Sequence, residues 1–399
     1  MNHSKPITIL QILLLTFVFC SCTKKSSTEL NDADLPKNVL PKMKPICNES
    51  VKLSPEFIAK TQRGIDSFYN KNWPNHSANG SFLVAKNGLI LYERYEGFAN
   101  FSTKKQIDKN TPLHIASVSK VLTATAILKL INSKKIELDQ KVNTILKAFP
   151  YPDVTIRTLL NHRSGMRNYS YFTDKKEIWD KHKTITNQEL LKLMITKKID
   201  LEYKTNTHFS YCNTNYAMLA LVIEKITSLP FKEAMSQIIF KPLKMKNTFV
   251  FDYEKDKKTA VPSYKGNAIE IGLDYLDAIY GDKNIYSTPR DLLKFDRARS
   301  SANFLNPKLL KQIYLGYSKE NKGIKNYGLG IRMINWENGK NFFFHNGWWH
   351  GSTSSYIPMI KENVTIIALS NKFTKRTYNV RKLSSLFGAY PFQLDYTKE

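Results

Sequence analysis

Negative charge is scarce in this chain: 34 aspartates and glutamates stand against 60 lysines and arginines, a formal net charge of +26 over 399 residues. No long basic run accompanies the excess, because the lysines are dispersed along helical and loop segments. That dispersion argues against a nucleic-acid stripe and describes a solvated surface. Attraction to anionic envelope surfaces, lipid headgroups or acidic polymers is its milder consequence. Cysteine is scarcer still, with four residues, Cys20, Cys22, Cys47 and Cys212. Neither Cys47 nor Cys212 has metal-ligand company, so the pattern names no metal and no cofactor. Internal repeats are missing. What is present is apolar: 42% hydrophobic and 12% aromatic residues, enough to bury a sizeable core.

The N-terminus reads as a secretory leader. His3 and Lys5 precede an apolar run, Ile7 to Phe19, that is too short to span a bilayer comfortably. Cys20-Ser21-Cys22 follows, and small Ser21 makes Cys22 the better first mature residue. The arrangement resembles a bacterial lipoprotein signal, which implies lipidation of Cys22 and an envelope location, facing the periplasm or the cell surface; an ordinary soluble secretory signal is the alternative. Residues 1–21 are then the signal and 22–52 a tether rich in Lys, Pro, Ser and Asn. With Cys22 lipidated, Cys47 and Cys212 are an even pair that an oxidising compartment permits to bond. Cys212 lies in an apolar, tyrosine-rich segment, where a small buried hydrophobe is expected.

Order is expected from Ser54-Pro55-Glu56, a helix start with a cap and a first-turn proline. Strand-like runs at 80–86 and 89–95 flank Asn87-Gly88, a strong hairpin signal. A helix over about 117–133 follows, then helical patterns at 188–197 and 213–226 and another opening at Thr288-Pro289. Strand-like runs at 341–345, 353–359 and 364–369 and a short helix at 382–386 close the chain. Strands at both ends with helices between predict an α+β (α/β sandwich) fold. An antiparallel sheet of about five strands would be flanked by helices, built from 53–140 and 286–399, with a mainly helical domain, 141–285, inserted.

Three short patterns carry chemistry. Ser117-Val118-Ser119-Lys120 puts a hydroxyl and an amine one turn apart on one helix face, as a serine nucleophile needs. Ser102 and Lys105 repeat the spacing in a polar loop. Tyr211-Cys212-Asn213 offers a proton shuttle and an amide, or simply an aromatic core segment entering a helix capped by Asn213. His345-Asn346-Gly347 reads as a strand ending in a polar head where backbone approaches a ligand, or as a histidine in a surface turn.

In this order and at these separations, Ser-x-x-Lys, Tyr-x-Asn and a His-x-Gly element resemble the serine β-lactamase and penicillin-binding-protein superfamily. Specifically, the chain is similar to the class C-like branch, which also holds D,D-peptidases, D-aminopeptidases and esterases. Thr155 to Met166, Tyr286 to Leu292 and Tyr327-Gly328-Leu329-Gly330 support it, over about residues 55–390. The resemblance implies an acyl-enzyme on Ser117, with Lys120 and Tyr211 sharing its proton. Asn213, His345, Gly347 and Trp348 would bind the substrate, and the backbone N–H groups of Ser117 and Trp348 would form the oxyanion hole. His345 stands where many relatives carry lysine, which suits a hydrolase of a small ester, amide or peptide. A D,D-carboxypeptidase or β-lactamase and a catalytically silent envelope-binding protein are the alternatives. Trp348 and Trp349 either line the cleft or join the core, and His162 and Arg163 are expected to brace the helical part.

Overall fold

The computed structural model describes residues 52–299, 301, 304–320 and 323–394. The leader, Cys22, Cys47 and most of the tether lie outside these residues. Helix α1, Pro55–Asn72, starts as the sequence predicts, with Ser54 Oγ accepting the Phe57 N–H at 3.2 Å and Pro55 in the first turn. Strands β1, Gly80–Lys86, and β2, Leu89–Glu96, then form the hairpin. Its turn residues Asn87 and Gly88 both take positive φ, 51° and 76°, which asparagine tolerates and glycine, lacking a Cβ, adopts freely.

Five more strands complete the main sheet: β3, Lys325–Tyr327; β4, Arg332–Asn335; β5, Asn341–Trp349; β6, Ser352–Met359; β7, Val364–Ser370. The order is β3-β4-β5-β6-β7-β1-β2, antiparallel throughout. The sheet is thus two strands wider than the expected five. The additions, β3 and β4, are too short and polar to show a two-residue alternation. β1 and β7 pair although they are nearly three hundred residues apart in the chain, Gly80 opposite Ser370 and Lys86 opposite Val364.

Alternation along these strands divides the core. Phe82, Val84, Ile366 and Ala368 join the cluster under α1 and the C-terminal 3₁₀ helix Arg376–Leu386, with Ile65, Phe68, Val380 and Leu383. Leu83, Ala85, Ile367 and Leu369 face the opposite way, into the larger cluster. A strand buried on both faces reads as a continuous apolar run, as these do. The larger cluster holds α2, Ser119–Asn132, and α3, Asn213–Thr227, with α4, Pro289–Arg299. Every residue of α2 from Ser119 to Leu130 is buried, its lysines, serine and threonines included. The chain enters α2 through a short strand, Leu113–His114, paired with Ile285–Ser287. That pairing pins the segment from which the candidate nucleophile projects.

Candidate active site

Ser117 is the one residue between 113 and 130 that is not buried. It sits in a 3₁₀ turn, Ala116–Val118, that runs into the N-terminus of α2. Three contacts hold this turn. The Ile115 N–H donates to Ile285 O at 2.9 Å, and Ile115 O accepts the Ser354 hydroxyl at 2.6 Å. Ala116 takes φ +46°, a left-handed conformation that an L residue adopts only under constraint. The third contact is Gly347 of β5: a Cβ there would lie 2.5 Å from Ile115 O and 2.9 Å from Ser117 N. Only glycine lets β5 come this close to the candidate nucleophile's own amide.

Lys120 lies one turn along, fully buried, with its ammonium 3.1 Å from Ser117 Oγ and 2.8 Å from Asp282 O. A buried ammonium is costly without acceptors, and these two oxygens, with the rings of Tyr211 and Tyr216 at 5.1 and 5.7 Å, surround it. Ser119, inside the same motif, is buried and accepts the Ile285 N–H at 3.2 Å, a structural contact. The decoy separates cleanly: Ser102 and Lys105 are exposed on a turn and a two-residue strand.

Tyr211 projects from the segment before α3. Its hydroxyl oxygen is buried and makes no hydrogen bond among the described residues. Burial pushes the phenol's pKa up, but the charges of Lys120 and Arg332, with Ser117 and Lys120 near its hydroxyl, outweigh burial and hold it below the ordinary tyrosine value. Asn213 is the first residue of α3 rather than its cap; Cys212 holds the cap position, and Asn213 Oδ1 is buried with no hydrogen-bond partner among the described residues. Cys212 itself is a buried thiol with no disulfide partner among the described residues.

His162 stands closer to this centre than expected. Its ring lies 4.4 Å from that of Tyr211, and Nδ1 accepts the Cys212 N–H at 3.2 Å with Asn215 Nδ2 at 3.1 Å. It therefore braces the Tyr211–Asn213 segment directly. Arg163 holds the chain just before it, through Asn206 and Glu320.

His345 corrects an expectation. The strand does not end there but continues to Trp349, because β6 pairs with it through Ser352. The histidine is fully buried, and both nitrogens are committed. Nδ1 lies 2.9 Å from Asn346 O, which only accepts, so Nδ1 carries the proton and Nε2, 3.1 Å away, accepts from the Tyr327 hydroxyl. Burial, then the charges of Arg332 and Lys120, holds its pKa well below the usual histidine range. A neutral imidazole with both nitrogens occupied offers a substrate no free polar group.

The charge at this wall belongs instead to Arg332 on β4, which the sequence reading passed over. Its guanidinium lies 4.3 Å from the Tyr211 ring centre and 6.0 Å from that of Tyr327, with no ion pair among the described residues. Its signal was its place two residues beyond Tyr327-Gly328-Leu329-Gly330. Gly330, at φ +82°, packs on Ala124 and Lys120 O and draws β4 against α2. The two tryptophans divide: Trp348 is 63% exposed, while Trp349 is half-buried with its indole N–H on Asp277 Oδ1 at 2.6 Å.

A half-exposed serine with a buried lysine against it, set where a helix N-terminus meets an antiparallel sheet, places the molecule among the serine hydrolases. The chain belongs to the beta-lactamase family, whose model, described as Beta-lactamase, matches residues 72–386. It is similar to penicillin-binding protein 4* of Bacillus subtilis, 29% identical over 314 residues, 74% of this chain and 69% of that one. A D-aminopeptidase of Brucella anthropi is 26% identical over 313 residues, 75% of this chain and 57% of the relative. The chain thus spans a little over half to just above two thirds of these relatives' lengths. A penicillin-binding protein structure from Bacillus halodurans superposes with a TM-score of 0.70 at 21% identity, covering 80% of this chain and 98% of that one.

Proposed function

We propose that this protein cleaves a small ester, amide or peptide through an acyl-enzyme on Ser117. The observation that carries the reading is the Lys120 ammonium 3.1 Å from Ser117 Oγ, beside a phenol held below its ordinary pKa. In this reading Tyr211, as phenolate, takes the Ser117 proton while Oγ attacks the carbonyl carbon. The tetrahedral oxyanion rests on the N–H groups of Ser117 and Trp348, each such donor being worth ~10²–10³ in rate. Collapse breaks the acyl bond, and Tyr211 returns the proton to the leaving group. Water then attacks the acyl-enzyme by the same path. Lys120 keeps the phenolate favourable and aligns Oγ. Asn213 Oδ1, buried with no hydrogen-bond partner among the described residues, is the group that positions the substrate.

A second reading has one observation in its favour. Arg332, without an ion pair among the described residues, is a fixed cation where His345 is neutral, which suits a substrate carrying a carboxylate, as cell-wall peptides and β-lactams do. A short-chain p-nitrophenyl ester and a fluorescent penicillin, each given to wild type and Ser117→Ala, separate the readings. Ester turnover that disappears in the variant is expected. Rapid penicillin turnover promotes the second reading, and equal activity of the two proteins removes Ser117 as nucleophile. No acylation by any probe leaves a silent binding protein.

The remaining organisation belongs to the same proposal: signal 1–21, tether 22–52, sheet domain 53–140 with 286–399, and helical domain 141–285. Lipidation of Cys22 would hold the protein at the envelope. Among the described residues no helix is long and apolar enough to cross a membrane. Mass spectrometry of the mature N-terminus tests the anchor; an unmodified Cys22 overturns it.

A further inference from the structure

The segment 274–284 touches three separate walls of the site. Asp282 O accepts the Lys120 ammonium, and Gly281 O accepts the Thr123 hydroxyl at 2.8 Å, both on α2. Asn284 reaches the nucleophile's turn through a histidine. The Ala116 N–H donates to His114 Nδ1 at 3.3 Å, so Nε2 carries the proton and gives it to Asn284 Oδ1 at 3.1 Å. Asn284 Nδ2 in turn donates to Asp277 O and Ile279 O.

The third wall is the end of β5. β4 pairs with β5 only as far as Phe344, so beyond His345 the strand has β6 on one side and the nucleophile's turn on the other. A backbone whose amide is to serve as an oxyanion donor must nonetheless be held to a fraction of an ångström. The Tyr378 hydroxyl donates to Gly347 O at 3.0 Å, and the strand's end beyond it is tethered by Asp277, 2% exposed. Oδ1 accepts the Trp349 indole N–H at 2.6 Å, and Oδ2 lies 2.9 Å from His350 Nε2 and accepts the Asp274 N–H at 2.5 Å. The ammonium of Lys283 covers the Trp349 ring at 4.7 Å. Burying a carboxylate is expensive, and two of this one's three contacts go to the residues that follow Gly347-Trp348.

We propose that Asp277 is a positioning residue for acylation: through Trp349 and His350 it fixes the Gly347–Trp348 backbone at its distance from Ser117. The inference rests on the reading of Ser117 as nucleophile and of the Trp348 N–H as an oxyanion donor. It makes segment 274–284 a single scaffold for the amine, the nucleophile's turn and the oxyanion strand. Asp274, Asp277 and His350 also have ligand atoms within 4.8 Å of one another. Both Asp277 oxygens already accept protein N–H groups, which favours the clamp over a metal.

The test compares wild type, Asp277→Ala and Asp277→Asn on a p-nitrophenyl ester, with amide hydrogen exchange on the same samples. Asp277→Ala is expected to lose on the order of 10–100-fold in kcat, the size of effect a misplacement of about 1 Å produces, with KM unchanged. Asp277→Asn keeps an acceptor for the indole and recovers part of the loss. Exchange rises over 347–351 in the alanine variant and not across β1 or β7. Wild-type kcat in Asp277→Ala, exchange that rises throughout the sheet, or activity abolished by a chelator overturns the clamp. Failure of the underlying reading shows differently: the wild type then has no Ser117-dependent turnover, while the exchange pattern still reports whether Asp277 holds β5.

Discussion

At the scale of single residues, the site is a problem of placing two cations around one phenol. Lys120 and Arg332 both act on Tyr211, and their charges, with Ser117 and Lys120 near its hydroxyl, hold its pKa below the ordinary tyrosine value against the burial that raises it. Tyr211→Phe is expected to lower kcat by ~10²–10⁴, the usual contribution of a proton-transfer group, with the melting temperature unchanged. Arg332→Gln removes a charge that favours the phenolate, so the Tyr211 pKa rises. If the phenolate is the base, the rising limb of the pH–rate profile moves to higher pH. An unmoved limb in that variant would separate Arg332 from the base. Gly347→Ala forces a methyl against the Ile115 carbonyl, a backbone atom that cannot rotate away. Overpacking of this kind costs about 1–3 kcal/mol, and a lowered melting temperature with lost turnover is expected.

At the scale of elements, the helix carrying the candidate nucleophile was legible because spacing along a helix is local: Ser117 and Lys120 share a face by geometry alone. The hairpin was legible for the same reason. His345 was not, since a strand's end depends on how far its neighbour pairs, and β6 carries it four residues further. The segment leading to Tyr211 depends on a clamp equally hidden in sequence. Arg163 binds Glu320 in two-pronged fashion at 2.9 and 2.8 Å, while Glu320 Oε1 also accepts the Phe209 N–H at 2.7 Å. Burial would raise the Glu320 carboxyl, but Arg163 and then the backbone N–H groups hold it at about 2, against an ordinary 4.5. A depressed carboxylate pKa stabilises the fold above the unfolded value, and that contribution is lost as pH falls from about 4.5 through about 2. Glu320→Gln should therefore melt below wild type at neutral pH and converge with it in acid. A constant gap across that range in paired thermal melts would contradict the clamp.

At the scale of the whole molecule, the charge of +26 and the two-faced sheet have different origins. The charge is dispersed, and its expected effect is adsorption to anionic vesicles at low salt that disappears as the Debye length shrinks from ~10 Å toward ~3 Å. Vesicle co-sedimentation of a protein without its leader, at rising ionic strength, measures this. Salt-independent binding would point to a specific site instead. The sheet owes its stability to helices on both faces, and that layering was legible from strands at both chain ends with helices between. Composition, the hairpin, the Ser-x-x-Lys helix and the family likeness were determined by the sequence itself, because each rests on near neighbours or on the order of motifs. Only the tertiary structure decided that Arg332 rather than His345 carries the charge beside Tyr211, that the two tryptophans part company, and that Asp277 reaches the end of β5. Those are contacts between residues 72 to 121 positions apart, and only the pairing of strands and the packing of α2 bring them together.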